Sequence, residues 1–379
     1  MNKILIIDDD RTMRLVLKKN LTINGYEVIV AGDGEEGLTL AQEYRPQLII
    51  CDWMMPRMDG LEVCRQIKTN PELATTFFVL LTAQNSLEDK VIGLDAGSDD
   101  FLSKPIDMLE LNARVRAGLR IHLLSNQLKQ QKELLEAELA EAAEYVISIL
   151  PEPLTSTATT IDFRFIPSTQ LGGDGLDYFW LDDHHLAMYL LDVSGHGLRA
   201  ALPSVSIINM LRSRQLNTVN YYQPSDVLSG LNQTFQMNAR NSSYFTMWYG
   251  VYNLRKRELV YASAGHPPAI LFSPDNFGEI IEQRLKTRGF PIGMFPDAEY
   301  YNVSCKIPRK SRLYIFSDGI YEISKSDGNI WGIDEFIKLL KNLSLEPLSN
   351  LDILLKWVKE VELKIEFDDD ISIIEVKFE

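Results

Sequence analysis

The residues best placed to do chemistry in this chain are carboxylates that follow apolar runs. Asp8 and Asp9 follow KILII, and Asp52 follows QLIIC. Thr82 follows FFVLL, and Lys104 stands just before Pro105. If these runs are strands of one parallel sheet, their carboxyl ends share the edge where such sheets bind ligands. Three close carboxylates repel one another, so they protonate or hold a divalent cation. Oxygen ligands with retained water suit magnesium. A hydroxyl and an ammonium beside that pocket suit the oxygens of a phosphoryl group. An aspartate can accept such a group covalently. Asp52 is the candidate, because Asp8 and Asp9 stand where metal ligands would. Singly, each residue could be a turn or a helix cap; their order along the chain carries the reading.

A second set lies downstream. It comprises Gly172-Gly173-Asp174, the run Asp192-Val193-Ser194-Gly195-His196-Gly197, Ser317-Asp318-Gly319 and Asp368-Asp369-Asp370. Asp192, Asp318 and Asp369 each adjoin an apolar run, so adjacent antiparallel strands would bring them to one sheet edge. Carboxylates without clustered cysteine or histidine favour magnesium or manganese. Two such ions can clamp a phosphoryl group and activate water. Glycines beside the acids permit close backbone approach. Acidic-glycine turns are common at strand ends, and His196 and His266 could be structural. Ser194 is not read as a nucleophile, because Asp192 and His196 occupy the glycine positions of G-x-S-x-G.

The elements that must position these residues fall into three stretches. Over residues 1–122, strand runs at Lys3–Asp8, Tyr26–Ala31, Gln47–Cys51, Phe77–Leu81 and Phe101–Leu102 alternate with helical spacing at Arg11–Asn24, Glu35–Tyr44, Leu61–Lys68, Leu87–Asp95 and Met108–Leu119. Five such βα units predict an α/β doubly wound, five-stranded parallel sheet covered on both faces.

Residues 123–150 lack glycine and proline and predict a helical linker. Ile121, Leu124, Leu128, Gln131, Leu135, Glu138, Ala142, Tyr145 and Ile149 form a heptad-like seam spoiled by Gln131 and Glu138, and Leu139 and Val146 offer a second register. The seam predicts a coiled-coil homodimer; a plain amphipathic linker is the alternative, though a long solvated helix is marginal by itself.

Residues 151–379 predict strands at Leu186–Asp192, Tyr244–Asn253, Glu258–Ala262, Ala269–Phe272, Leu313–Phe316 and Ile371–Lys377. They predict helices at Ala200–Arg214, Pro224–Ala239, Gly332–Asn342 and Leu351–Leu363. Strand runs mostly follow one another without a helix between, which predicts a layered α+β domain.

Composition narrows the function. At 379 residues, two or three domains are expected. With 45% hydrophobic and 24% charged residues the chain reads as folded. A net charge of −15 argues against nucleic acid and anionic lipid as partners. No apolar run approaches the ~20 residues of a membrane helix. MNKILIIDDD does not read as a signal peptide. Three scattered cysteines fit a reducing cytoplasm.

Residues 1–122 resemble a response-regulator receiver domain, through DDD, D-W-M-M-P-R-M-D-G, T-A and K-P in that order. The resemblance implies that Asp52 is the phosphoacceptor. Magnesium would be held by Asp8, Asp9, Asp52 and the Met54 backbone carbonyl. Thr82, Phe101 and Lys104 would be the switch hydroxyl, the rotating aromatic and the phosphate-binding lysine, and Met54 and Gln84 would tune dephosphorylation.

Residues 151–379 resemble the bacterial protein phosphatase 2C-like domains typified by stage II sporulation protein E, through G-G-D, D-V-S-G-H-G, A-G-H-P-P-A, S-D-G-I-Y-E and D-D-I-S. That implies an αββα sandwich with two manganese or magnesium ions. The ligands would be Asp174 (directly or through water), Asp192, the Val193 carbonyl, Asp318 and Asp369. It implies hydrolysis of phosphoserine or phosphothreonine without a covalent intermediate, with Asp192 and Asp318 as catalytic residues. The departures are Gly175-Leu176 for an aromatic pair, Arg199 for a small residue, and Ser372 for threonine; none removes a carboxylate.

The expected function is a two-component regulator. A sensor histidine kinase phosphorylates Asp52, and this gates a phosphatase acting on an anti-anti-sigma (STAS-type) phosphoprotein. A non-enzymatic docking protein is the alternative. The acidic second half, without a basic recognition helix, argues against a transcription factor.

Overall fold

The computed structural model describes residues 2–83, 87–168, 171–195, 197–216, 218–237, 243–275, 277–324, 330–345, 351–361 and 369–379. Gln84, His196 and Asp368 lie outside the described residues. The chain divides into two compact units, Met1–Glu136 and Ala137–Glu379.

The first unit alternates β1 (Lys3–Ile7), α1 (Arg11–Ile23), β2 (Glu27–Ala31), α2 (Gly34–Tyr44), β3 (Leu48–Asp52), α3 (Gly60–Thr69), β4 (Phe77–Thr82), α4 (Leu87–Asp95), β5 (Asp100–Ser103) and the start of α5 (Met108–Ser148). The sheet is parallel, in the order β2-β1-β3-β4-β5. Its strands read as unbroken apolar runs because both faces are covered. Leu5, Ile7, Ile49, Phe78 and Leu80 face a cluster with α2 and α3, while Ile4, Ile6, Ile50, Val79 and Leu81 face one with α1 and α5. Asp10, Asp33 and Asp59 cap α1, α2 and α3 by accepting backbone N–H bonds.

Helix α5 is 41 residues long. Leu111, Val115 and Leu119 are buried on the first sheet. Near its end Val146 is buried against Leu171 and Ala201, with Ala142 and Ala143 beside it. Ile149, just past the helix, packs on the core outside the second unit's first sheet. Two seam positions, Ala142 and Ile149, are therefore occupied within the chain. Ile121, Leu124, Leu128 and Leu135 remain exposed.

The second unit contains β6 (Leu154–Thr155), β7 (Thr159–Ile166), β8 (Asp174–Asp182), β9 (His185–Val193), α6 (Leu198–Arg212), α7 (Pro224–Thr234), β10 (Phe245–Asn253), β11 (Glu258–Ala264), β12 (Ala269–Pro274), β13 (Ile280–Leu285), β14 (Val303–Lys306), β15 (Ser311–Phe316), β16 (Ile323–Ser324), β17 (Ile330–Trp331), α8 (Ile333–Leu345), α9 (Leu351–Val361) and β18 (Ile371–Phe378). Two antiparallel sheets, ordered β14-β11-β10-β9-β8 and β13-β12-β15-β18-β7-β6, form the body. Leu186, Met188 and Leu190 of the first sheet meet Leu313, Ile315, Ile374 and Val376 of the second. Helices α6 and α7 cover the outside of the first sheet, and α8 and α9 that of the second. This is the expected αββα layering.

Sequence reading missed β7, β8, β13 and β14, and the two-residue β6, β16 and β17. The alternation Ile161, Phe163, Phe165 in β7 was a usable strand signal. In β8, Asp174 and Asp177 interrupt the apolar pattern because the strand carries buried acids. Helix α7 ends at Thr234 rather than at Ala239: Phe235 leaves helical geometry as its cap.

Trp248 anchors the layer between the sheets. It is fully buried, donates to the Leu285 carbonyl at 3.0 Å, and stacks on Tyr261 at 5.8 Å between centroids. Trp248→Ala should cost about 3–5 kcal/mol by urea denaturation. A loss below ~1 kcal/mol would mean that the layer repacks around the gap.

Candidate functional site

In the first unit, Asp8 lies just past β1 and Asp52 ends β3. Those strands are adjacent, so the two carboxylates meet. Asp8, Asp9 and Asp52 each place a carboxylate oxygen within 4.8 Å of the others. The Lys104 ammonium sits 2.8 Å from Asp52 Oδ2 and 3.3 Å from Asp8 Oδ2. Asp8 is fully buried and accepts from the Asp10 N–H at 2.8 Å. Burial raises its carboxyl pKa; the Asp10 bond and Lys104 oppose this, and Asp52 adds repulsion. Burial disfavours the charged form of Lys104, but its bonds to Asp52 and Asp8 outweigh that and raise its pKa. Thr82 ends β4, buried, one residue beyond the Asp52–Leu81 pairing. Phe101 is half-buried on β5, against the cluster containing Leu80. The Met54 side chain is exposed.

In the second unit, the acids appear where the apolar layer between the sheets gives out. Residues two apart on a strand share a face. Leu176 and Leu190 therefore place Asp174 and Asp192 on the inter-sheet face, and Ile374 does the same for Ser372. Register finishes the placement. Asp174 is directly opposite Asp192 across β8 and β9, and Thr246 is opposite Asp192 across β10.

Two glycines let the strands close here. A Cβ on Gly172 would meet Asp370 Oδ2 at 1.5 Å, and one on Gly173 would meet the Val193 carbonyl oxygen at 2.3 Å. Gly-Gly before Asp174 is thus a requirement of backbone approach.

Like charges directly opposite on strands are unfavourable. Burial first, then Asp318, Asp369 and Asp370, push the Asp192 pKa up to about 7. Burial, then Asp369 and Glu322, push Asp318 up to about 6. Asp174 is fully buried and raised by that burial and by Asp192 and Asp370. The Ser372 and Ser317 hydroxyls lie near enough to lower it. Even so, Asp174 Oδ2 and Ser372 Oγ have no well-formed hydrogen bond. A crowded set of carboxylates, in which the buried Asp174 carries an orphaned oxygen, fits divalent cations. Among the described residues these acids do not form a trio as tight as that of the first unit.

Sequence reading named Asp370 and Ser317 in their motifs but gave them no role, and it missed Thr246. Asp369 is exposed and accepts from the Asp370 N–H at 2.8 Å. Asp370 is buried and accepts from the N–H groups of Ser168 at 2.8 Å and Asp174 at 3.3 Å, locking the strands around the site. Ser317 Oγ accepts from the Ser372 N–H at 3.0 Å. Thr246 Oγ1 is buried without a partner, and Thr246 and Asp318 line the same cavity of about 490 Å³. Only pairing could reveal Thr246, since a lone threonine in a strand carries no signal. Ser194 Oγ accepts from the Tyr244 N–H at 3.1 Å, a structural role. His266 is buried and pushed down to about 4, first by desolvation; its Nδ1 lies 3.0 Å from the Pro267 carbonyl oxygen.

Fold and site together define a receiver domain followed by a protein phosphatase 2C-like domain. Residues 4–116 match the response regulator receiver domain. Residues 182–379, just over half of the chain, match Stage II sporulation protein E (SpoIIE), and the chain belongs to that family. Asp174 and its glycines lie ahead of the matched residues. The first unit is similar to response regulator MprA of Mycolicibacterium vanbaalenii, 50% identical over 119 residues, 31% of this chain and 50% of that protein. The chain thus spans about half the length of the curated relatives it matches. The fold of the second unit is similar to that of the SiaA-PP2C domain of Pseudomonas aeruginosa, with 19% identity, a TM-score of 0.56, 66% of this chain covered and 99% of that one. No helix among the described residues is long and apolar enough to cross a membrane.

Proposed function

We propose that this chain is a two-component response regulator whose output is a metal-dependent protein serine/threonine phosphatase. One observation carries the reading: Asp174 and Asp192 face each other in register at the end of an apolar core, with Asp192 within repulsion range of Asp318 and Asp369. Asp174, Asp192, Asp318, Asp369 and the Val193 carbonyl are the proposed metal-holding groups. Divalent ions held there would supply charge for the phosphoryl oxygens and an activated water. Water adds to phosphorus, the bond from phosphorus to the serine or threonine oxygen breaks, and that oxygen leaves with a proton. The chain's part is to hold four acids together and exclude bulk solvent behind them.

In the first unit, Asp8, Asp9, Asp52 and the Met54 carbonyl would hold magnesium. Asp52 attacks the phosphorus of a phosphohistidine on a sensor kinase; the N–P bond breaks and an O–P bond forms. Lys104, already at Asp52, and Thr82 then hold the new phosphoryl oxygens. Phosphorylation biases a two-state element, which requires a differential of a few kcal/mol. The resemblance favours activation as its sign. The exposed Ile121, Leu124, Leu128 and Leu135 support a homodimer through α5. The STAS-type substrate rests on resemblance, and the cytoplasmic setting on the three scattered cysteines.

Phosphate release from phosphoserine proteins with manganese or magnesium, with and without beryllofluoride, tests the reading. Release that changes with beryllofluoride supports it. Absence of turnover with retained partner binding supports the docking-protein alternative.

Protonation supplies a further prediction. Asp192 and Asp318 titrate above the ordinary carboxylate range in the folded chain. Their contribution to stability is therefore present at low pH and lost as pH rises through about 6 to 7. In a chelator, wild-type Tm should fall from pH 5 to pH 8, and Asp192→Asn should be the more stable at pH 8. Manganese should raise Tm at pH 8 more in wild type than in Asp192→Asn. Equal metal shifts in both would sink the assignment of Asp192 as a ligand.

A further inference from the structure

Beside the Asp318 cavity lies a larger one of about 910 Å³. The two share Gly265 and Lys286 in their walls, so they adjoin. Phe290, Phe295 and Tyr301 line the larger cavity while remaining 58%, 47% and 53% exposed. Phe290 and Phe295 meet edge to face, 4.8 Å between centroids.

These rings sit on an irregular segment between β13 and β14, and that segment is pinned from below. Asn232 of α7, buried, accepts from the Gly293 N–H at 2.8 Å and donates to the Phe295 and Pro296 carbonyls at 3.0 and 3.3 Å. Ile292 exchanges backbone bonds with Phe245, and Thr287 Oγ1 accepts from the Ser263 N–H at 2.8 Å. A loop held this firmly could have turned its aromatics inward. Instead it presents three large rings to solvent, the mark of a preformed binding surface. The cationic wall also matters. Arg284 is engaged by Glu282 and Asp334, whereas Lys286 and Arg288 form no ion pair among the described residues. Lys286 thus places a cation without an ion-pair partner among the described residues in the wall shared by the aromatic cavity and the Asp318 cavity, in a chain of net charge −15.

The geometry points to a substrate subsite: the cavity takes an apolar side chain that neighbours the phosphorylated residue of a phosphoprotein, while Lys286 meets the anionic part between them. This rests on the phosphatase reading. Continuity with the Asp318 cavity selects a substrate segment as the occupant, and the unpaired lysine selects an anionic one.

The full chain would be assayed with manganese on phosphoserine peptides of glycine and serine, with a single leucine walked through the flanking positions. At one or more positions leucine should raise kcat/KM about tenfold over the all-polar peptide. Phe290→Ala and, independently, Phe295→Ala should bring that ratio close to one. Equal turnover of all peptides by wild type, or an unchanged ratio in both variants, overturns the subsite and leaves the phosphatase reading standing. Unchanged ratios with lost self-association in Phe290→Ala would assign the cavity to a second copy of this chain, again overturning it. Failure of wild type on every peptide and on p-nitrophenyl phosphate would overturn both readings.

Discussion

Asp192→Asn should abolish phosphoserine hydrolysis while leaving the fold intact. The effect expected is at least ~10³-fold in kcat/KM, or about 4 kcal/mol of lost transition-state stabilisation. Asp192 has Asp174 opposite it in β8 and Asp318 and Asp369 within repulsion range, so it interacts with each of the other proposed acids. Asparagine keeps its size and removes one charge from a crowded set, so the variant should fold at least as well as wild type. Phosphate release with saturating manganese, alongside circular dichroism, makes the measurement. Activity within tenfold of wild type would remove the metal site from this edge of the sheets.

The second large effect belongs to Asp52. Asp52→Asn should incorporate no phosphate from a small-molecule donor such as acetyl phosphate, and its phosphatase rate should be indifferent to beryllofluoride. Wild type should respond by about tenfold or more, a coupling of ~1.4 kcal/mol, for the receiver to act as a useful switch. The substituted amide would keep contact with Lys104 but offer no carboxylate oxygen to attack phosphorus. The paired assay separates two outcomes. Loss of phosphorylation with an unchanged response would place the switch elsewhere. A wild-type rate that ignores beryllofluoride would leave two independent activities on one chain.

Much of this is legible in the chain alone. The receiver was the easier half because in a parallel βα sheet every strand end lies on the same edge. Local patterns at Asp8, Asp52, Thr82 and Lys104 thus imply their convergence. The phosphatase half was harder, since antiparallel neighbours come from distant parts of the chain. Motif order pointed to Asp174, Asp192, Asp318 and Asp369, but β7, β8, β13 and β14 went unseen, Asp370 and Ser317 stood in their motifs without a role, and Thr246 had no local signature.

By itself the sequence determined the layered α+β class of the second unit, the parallel receiver, and which acids end apolar runs, because these follow from period, charge and turn chemistry within a few residues. Only the tertiary structure decided that Thr246 stands opposite Asp192 and that Asp370 turns inward while Asp369 turns out. It alone decided that Val146, from the linker's second register, packs against Leu171 and Ala201, and that Phe290 and Phe295 face solvent beside Lys286. Those outcomes depend on strand register and on close approaches between segments remote in sequence, which no local pattern encodes.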